Sequence, residues 1–164
     1  MIVDPAILAA IESMAPKLIV PPEVDARSIL AAITLPETEW GERCEAACFE
    51  MAYYRGGLWY RALHVRELIH RYEAFASCSY GPWQILFISA WELGYRGHPA
   101  ELRHPEISSE WVVAYLNKRV HSPTGPRDYF DAWNSGTNAD KSIPLGYINR
   151  AMEGYLEARK YYGE

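Results

Sequence analysis

The residues that could carry chemistry here are a carboxyl, two amides and a phenol, set out in a fixed order. Glu50 comes first, on a stretch with helical periodicity. The turn Ser79-Tyr80-Gly81-Pro82-Trp83-Gln84-Ile85 follows, then Ala132-Trp133-Asn134-Ser135-Gly136, and last Tyr147-Ile148. A glutamic acid kept neutral by apolar surroundings can act as a general acid, and neighbours such as Phe49 and Tyr54 are available in sequence. Each of these residues also has a structural reading: Gln84 or Asn134 can cap a helix, and Tyr147 can belong to a core. Spacing locates no Ser-His-Asp arrangement, and there is no glycine-rich phosphate loop. The five His and three Cys match no zinc pattern, so neither a metal nor a cofactor is expected.

The elements that must position these groups read as helices. Pro5 to Ala15 places Ile7, Leu8, Ile11 and Met14 on one face. The stretch Pro16 to Pro36 contains four prolines, and its Pro21-Pro22 pair resists regular structure. Residues 1–36 are therefore expected to form an N-terminal arm packed on a main body of residues 37–164. A helix is expected to start at Thr34-Leu-Pro-Glu37, which has the form of a capping box. It would run through Trp40, Cys44, Cys48 and Met51 to Gly56-Gly57. Further helices are expected over 59–75, 83–93, from Pro105, over 127–133, and from Pro144 to near the end. No segment alternates at period two for long enough to demand a strand, so the expected class is all-α.

Composition narrows the partners. A formal net charge of −5 argues against nucleic acid, whose binding surfaces cluster Lys and Arg. Six Trp and twelve Tyr fit an aromatic-rich core, and also a carbohydrate cleft where sugar C–H faces stack on rings. No apolar run reaches the ~20 residues of a membrane span. The opening Met1-Ile-Val-Asp-Pro has no signal-peptide character. Cys44 and Cys48 lie four apart and are expected to pack as small apolar groups, with a disulfide to Cys78 left open.

In this order the motifs resemble the soluble lytic transglycosylase branch of the lysozyme-like superfamily, including its goose-type lysozyme relatives. Leu93-Gly94-Tyr95-Arg96-Gly97 and Leu102-Arg103-His104-Pro105-Glu106 fill the intermediate slots of that pattern, and the likeness covers about residues 40–157. The resemblance implies a lysozyme-like helical domain, expected as a monomer, that cuts the β-1,4 bond between N-acetylmuramic acid and N-acetylglucosamine in peptidoglycan strands. It implies Glu50 as the catalytic acid and then base, with Glu45 and Glu73 as rival carboxylates. Ser79, Tyr80, Gly81 and Gln84 would line the cleft, with Asn134 beside the sugar and Tyr147 facing the acid. Met51 stands where the family usually has Ser after the acid, and Trp133 where it has Tyr. A hydrolytic muramidase, a chitin-cleaving relative, or a non-catalytic wall-binding module would share the pattern. A phage-borne or exported chain acting at the bacterial wall fits it.

Overall fold

The computed structural model describes residues 3–43, 47–137 and 144–163. The chain is mostly helical, with seven α-helices and one small sheet among the described residues. Helix α1 (Pro5–Met14) begins at Asp4, whose carboxylate accepts from the Ala6 N–H, and buries Ile7, Ile11 and Met14. Helix α2 (Ala26–Thr38) starts at Asp25, which accepts from the Ser28 N–H. Ile29, Leu30, Ala31, Ala32 and Ile33 of α2 are all fully buried.

Helix α2 corrects two expectations. The boundary at residues 36 and 37 falls inside it, and its buried run makes it a central element rather than part of an arm. Thr34-Leu-Pro-Glu37 forms its last turn, not the first turn of a new helix. The helix stops because Glu39, Trp40 and Gly41 all take positive φ, at 53°, 63° and 94°. The Glu39 N–H reaches Leu35 O and the Trp40 N–H reaches Thr34 O, which satisfies the terminal carbonyls. The left-handed Trp40 packs into the space of Gly154 on helix α7 (Leu145–Tyr162), where an added Cβ would come within 3.3 Å of the indole and 3.2 Å of Leu35.

A three-stranded antiparallel sheet takes the place of the helix expected through residue 56. Its strands are β1 (Cys48–Phe49), β2 (Cys78–Tyr80) and β3 (Ile85–Leu86), in that order. Cys48 pairs with Ser79 and Ser79 with Leu86, so these three share one face. Strands of two and three residues are too short to show an alternation in sequence. The β2–β3 turn uses positive φ at Gly81 (74°) and Gln84 (50°), and a Cβ at Gly81 would lie 2.5 Å from the Leu102 carbonyl oxygen.

The remaining helices are α3 (Leu63–Tyr72), α4 (Phe87–Leu93), α5 (Pro105–Arg119) and α6 (Pro126–Ser135). Residues 83–86, read as helix from the sequence, belong to the turn and β3. Cys48 and Cys78 are free thiols on neighbouring strands, while Cys44 and Glu45 lie outside the described residues. No helix among the described residues is long and apolar enough to cross a membrane.

Trp83 ties the turn to α2. Its ring is fully buried and its indole N–H donates to Leu30 O at 2.8 Å. Thr38 makes the second tie, with its hydroxyl 2.7 Å from Pro82 O. Trp83→Ala should lower the unfolding free energy by about 3–5 kcal/mol, as for other buried aromatic truncations. Urea denaturation measures this, and a loss below ~1 kcal/mol would show that the tie is not structural.

Candidate functional site

Glu37 lies one residue before the end of α2, in the wall of a cleft of about 810 Å³. Two donors meet on one of its oxygens. The Tyr147 hydroxyl from α7 donates to Glu37 Oε1 at 2.8 Å, and the Trp133 indole N–H from α6 donates to the same atom at 3.1 Å. Burial pushes the carboxyl up from its ordinary value of 4.5 to about 7, against the two hydrogen bonds, which favour the anion. The negative charge of Glu50 acts in the same upward direction. The C-terminal turn of a helix also disfavours a carboxylate. Burial holds the Tyr147 phenol well above its ordinary value, with Glu37 adding to the effect, so it remains a donor. With Oε1 accepting twice, the proton of the neutral carboxyl belongs on Oε2.

The sheet and α6 supply the other walls. Glu50 follows β1, its N–H donating to Ser77 O at 2.8 Å, and its side chain lines the cleft. Glu50 therefore leaves the helix expected for it and stands at a strand end, partly exposed. Ser79 and Gln84 also line the cleft. Their side chains bond to each other at 3.0 Å, and the Gln84 amide donates to Gly81 O at 2.9 Å. Asn134 is exposed on the cleft rim at the end of α6, beside Ser135 and Gly136.

Thus Glu50, Ser79, Gln84 and Asn134 come together in one cleft, and Tyr147 reaches it through Glu37. Three residues do not join them. Tyr80 points to the opposite sheet face from Ser79, is 1% exposed, and donates its hydroxyl to Phe75 O. Gly81 shapes the turn, against Leu102 and Ser108, rather than lining the cleft. Glu73 is exposed at the end of α3 and lines no part of the cleft.

Sequence reading passed over Glu37 because Thr34 and Glu37 matched a helix start. Glu37 is followed directly by a hydroxyl residue, Thr38, whereas Glu50 is followed by Met51. Tyr53, Trp59, His64, Glu92, Tyr115 and Arg119 also line the cleft. Tyr53 and Trp59 stack with centroids 6.3 Å apart, and Tyr115 meets Trp133 edge-on at 5.3 Å. Among the described residues no cluster of His, Cys, Asp or Glu has the makings of a metal site.

Comparison with known proteins yields no match to any family model, none to a curated protein and none to a solved structure. The site therefore rests on its own geometry.

A carboxyl whose folded-state pKa is raised stabilises the fold relative to its anion at low pH. That advantage is complete below about 4.5 and is lost as pH rises through about 7. Glu37→Gln should therefore be more stable than the parent at pH 8, by on the order of 1–3 kcal/mol once solvent screening is allowed for. The gain should open between pH 4.5 and 7. Denaturation curves across pH 4–8 test this, and a pH-independent difference would contradict it.

Proposed function

We propose that this chain is a glycan-cleaving enzyme of the lysozyme-like type acting on peptidoglycan, with Glu37 as its general acid. The observation that carries the reading is the Glu37 carboxyl, raised to about 7 at the wall of an aromatic-lined cleft. The ordered motifs of the lytic transglycosylase pattern support it, with the acid moved from Glu50 to Glu37. That move restores a hydroxyl residue after the acid, and it places Tyr147 in contact with the acid, as the resemblance implies.

In the proposed reaction the Oε2 proton of Glu37 passes to the glycosidic oxygen as the bond to C1 of the muramoyl sugar breaks. The sugar's N-acetyl oxygen bonds to C1 and carries the positive charge, so no second carboxylate is required. The Glu37 anion, stabilised by Tyr147 and Trp133, then removes the proton of the C6 hydroxyl. O6 displaces the N-acetyl oxygen at C1, closing a 1,6-anhydro ring and returning the proton to Glu37. Gln84 and Asn134 are placed to hold sugar hydroxyl or N-acetyl groups, and Tyr53 and Trp59 offer ring faces to sugar C–H groups.

One observation favours a second reading, hydrolysis. Glu50 lines the same cleft and stands close enough for its charge to raise Glu37. A carboxylate there can orient a water for attack on C1. Mass spectrometry of digested wall separates the two: anhydro-muramoyl ends mean transglycosylation, and reducing ends mean hydrolysis.

Glu37→Gln should abolish clearing of purified peptidoglycan, a loss of at least about 10³-fold in rate. Full clearing by that variant removes Glu37 from the mechanism, and no clearing by the parent from pH 4 to 8 favours a binding module. Activity of the parent should fall above pH ~7 as Glu37 ionises. Tyr147→Phe, which removes a donor to the anion, should move that limb to higher pH. Glu50→Gln, which removes a repelling charge, should move it lower. Shifts of the same sign in both variants would contradict this electrostatic account.

A further inference from the structure

At one end of the cleft the aromatic wall gives way to charge. Arg119 is the last residue of α5, with its guanidinium 5.6 Å from the ring centroid of Tyr115 one turn earlier. Glu92 of α4 faces it, with Oε2 4.0 Å from Nη2, too long for a hydrogen bond. The other Glu92 oxygen is engaged by His64 Nε2 at 2.9 Å. The Nε of Arg119 is buried without a hydrogen-bond partner among the described residues. An ion pair of that length between half-exposed groups contributes at most ~1 kcal/mol, so Glu92 leaves the guanidinium largely uncommitted.

The charge balance of the cleft gives this position its meaning. Glu37, Glu50 and Glu92 line it, and Arg119 is the one Lys or Arg among its described lining residues. Glu50 and Glu92 repel an anionic group on a bound strand, and among the described lining residues only this guanidinium offers it a permanent positive charge. The planar fork of arginine matches a carboxylate with two parallel hydrogen bonds. The Trp133–Tyr115 ring pair connects Glu37 to this end, so one strand can lie across both.

We propose that Arg119, backed by Tyr115 and flanked by the Glu92–His64 pair, forms a subsite for a carboxylate-bearing substituent of the glycan. This rests on the glycan-cleaving reading and deepens it, because it selects strands that carry acidic substituents over neutral N-acetylglucosamine polymers. Two carboxylates fit the chemistry: the lactyl acid of a muramoyl sugar freed of its peptide, and the carboxylates of the peptide stem when it is present.

The test measures binding in the Glu37→Gln chain, so that no ligand is cut, by isothermal titration calorimetry. Three ligands are compared: un-cross-linked glycan fragments with tripeptide stems, the same fragments stripped by an amidase, and chitotetraose. Adding Arg119→Gln should weaken at least one acidic ligand about tenfold or more, the scale of a charge-assisted hydrogen bond. The loss on chitotetraose should be at least about fivefold smaller. Arg119→Lys, which keeps the charge without the fork, should fall between, and it carries the test if Arg119→Gln does not fold. Loss confined to the stemmed fragments assigns a stem carboxylate, and loss on the stripped fragments assigns the lactyl acid. Equal losses on all three ligands, or none on any, overturn the subsite while leaving the glycan reading in place. Failure of the Glu37→Gln chain to bind any of the three overturns the glycan reading and the subsite with it.

Discussion

A carboxyl group placed at the C-terminal end of a helix, away from most of its water, cannot ionise cheaply. Glu37 occupies that position, and much of the surrounding architecture bears on it. Tyr147 and Trp133 converge on a single oxygen, which orients the group and leaves the other oxygen for the proton. These donors come from two different helices, so α2, α6 and α7 must all be in register for the arrangement to exist. Burial raises the pKa and the donors lower it, and the balance rests near neutrality. A fully buried acid without donors would hold its proton too tightly to give it up, and an exposed one would have none to give.

The strain at the end of α2 belongs to the same design. Three successive residues with positive φ turn the chain away immediately after Glu37 and Thr38. Such backbone persists only where its surroundings over-determine it. Trp40 against Gly154, Glu39 with Arg150 at 3.4 Å, and Thr38 against Pro82 supply that constraint. The Thr38 contact also joins the helix end to the β2–β3 turn, so the wall carrying Ser79 and Gln84 is fixed relative to Glu37. A cleft built this way has little freedom to misplace the carboxyl.

Much of this was legible in the sequence, and the failures share a cause. The helices at Pro5, Pro105, Pro126 and Leu145 were marked by prolines or apolar periodicity, and they form near where they were expected. The turn at 79–84 and the rim at Asn134 were legible as motifs. The helix end at 38 was not, because Thr34 and Glu37 at capping spacing look the same whether they open a helix or close one. Tertiary packing of α2 against α7 decides that question, and no local pattern reports it. The error then spread: a helix carried on to residue 56 hid β1 and set Glu50 on a helix when it stands at a strand end. Tyr80 was misplaced for a related reason, since a strand of three residues reveals its two faces only once its partners are known. Arg119 and Glu92 carry no motif, and they meet only through the packing of α4 and α5.

The central claim is that Glu37 keeps its proton close to neutral pH in the free protein, whatever substrate it meets. Carbon-13 NMR of glutamate side-chain carboxyls, with Glu37 assigned by comparison with Glu37→Gln, measures this directly. The account predicts one resonance titrating with a midpoint near 7 that vanishes in the variant. A Glu37 midpoint close to the ordinary 4.5 would mean an unexceptional solvated carboxylate, and the proposed acid would have no proton to give.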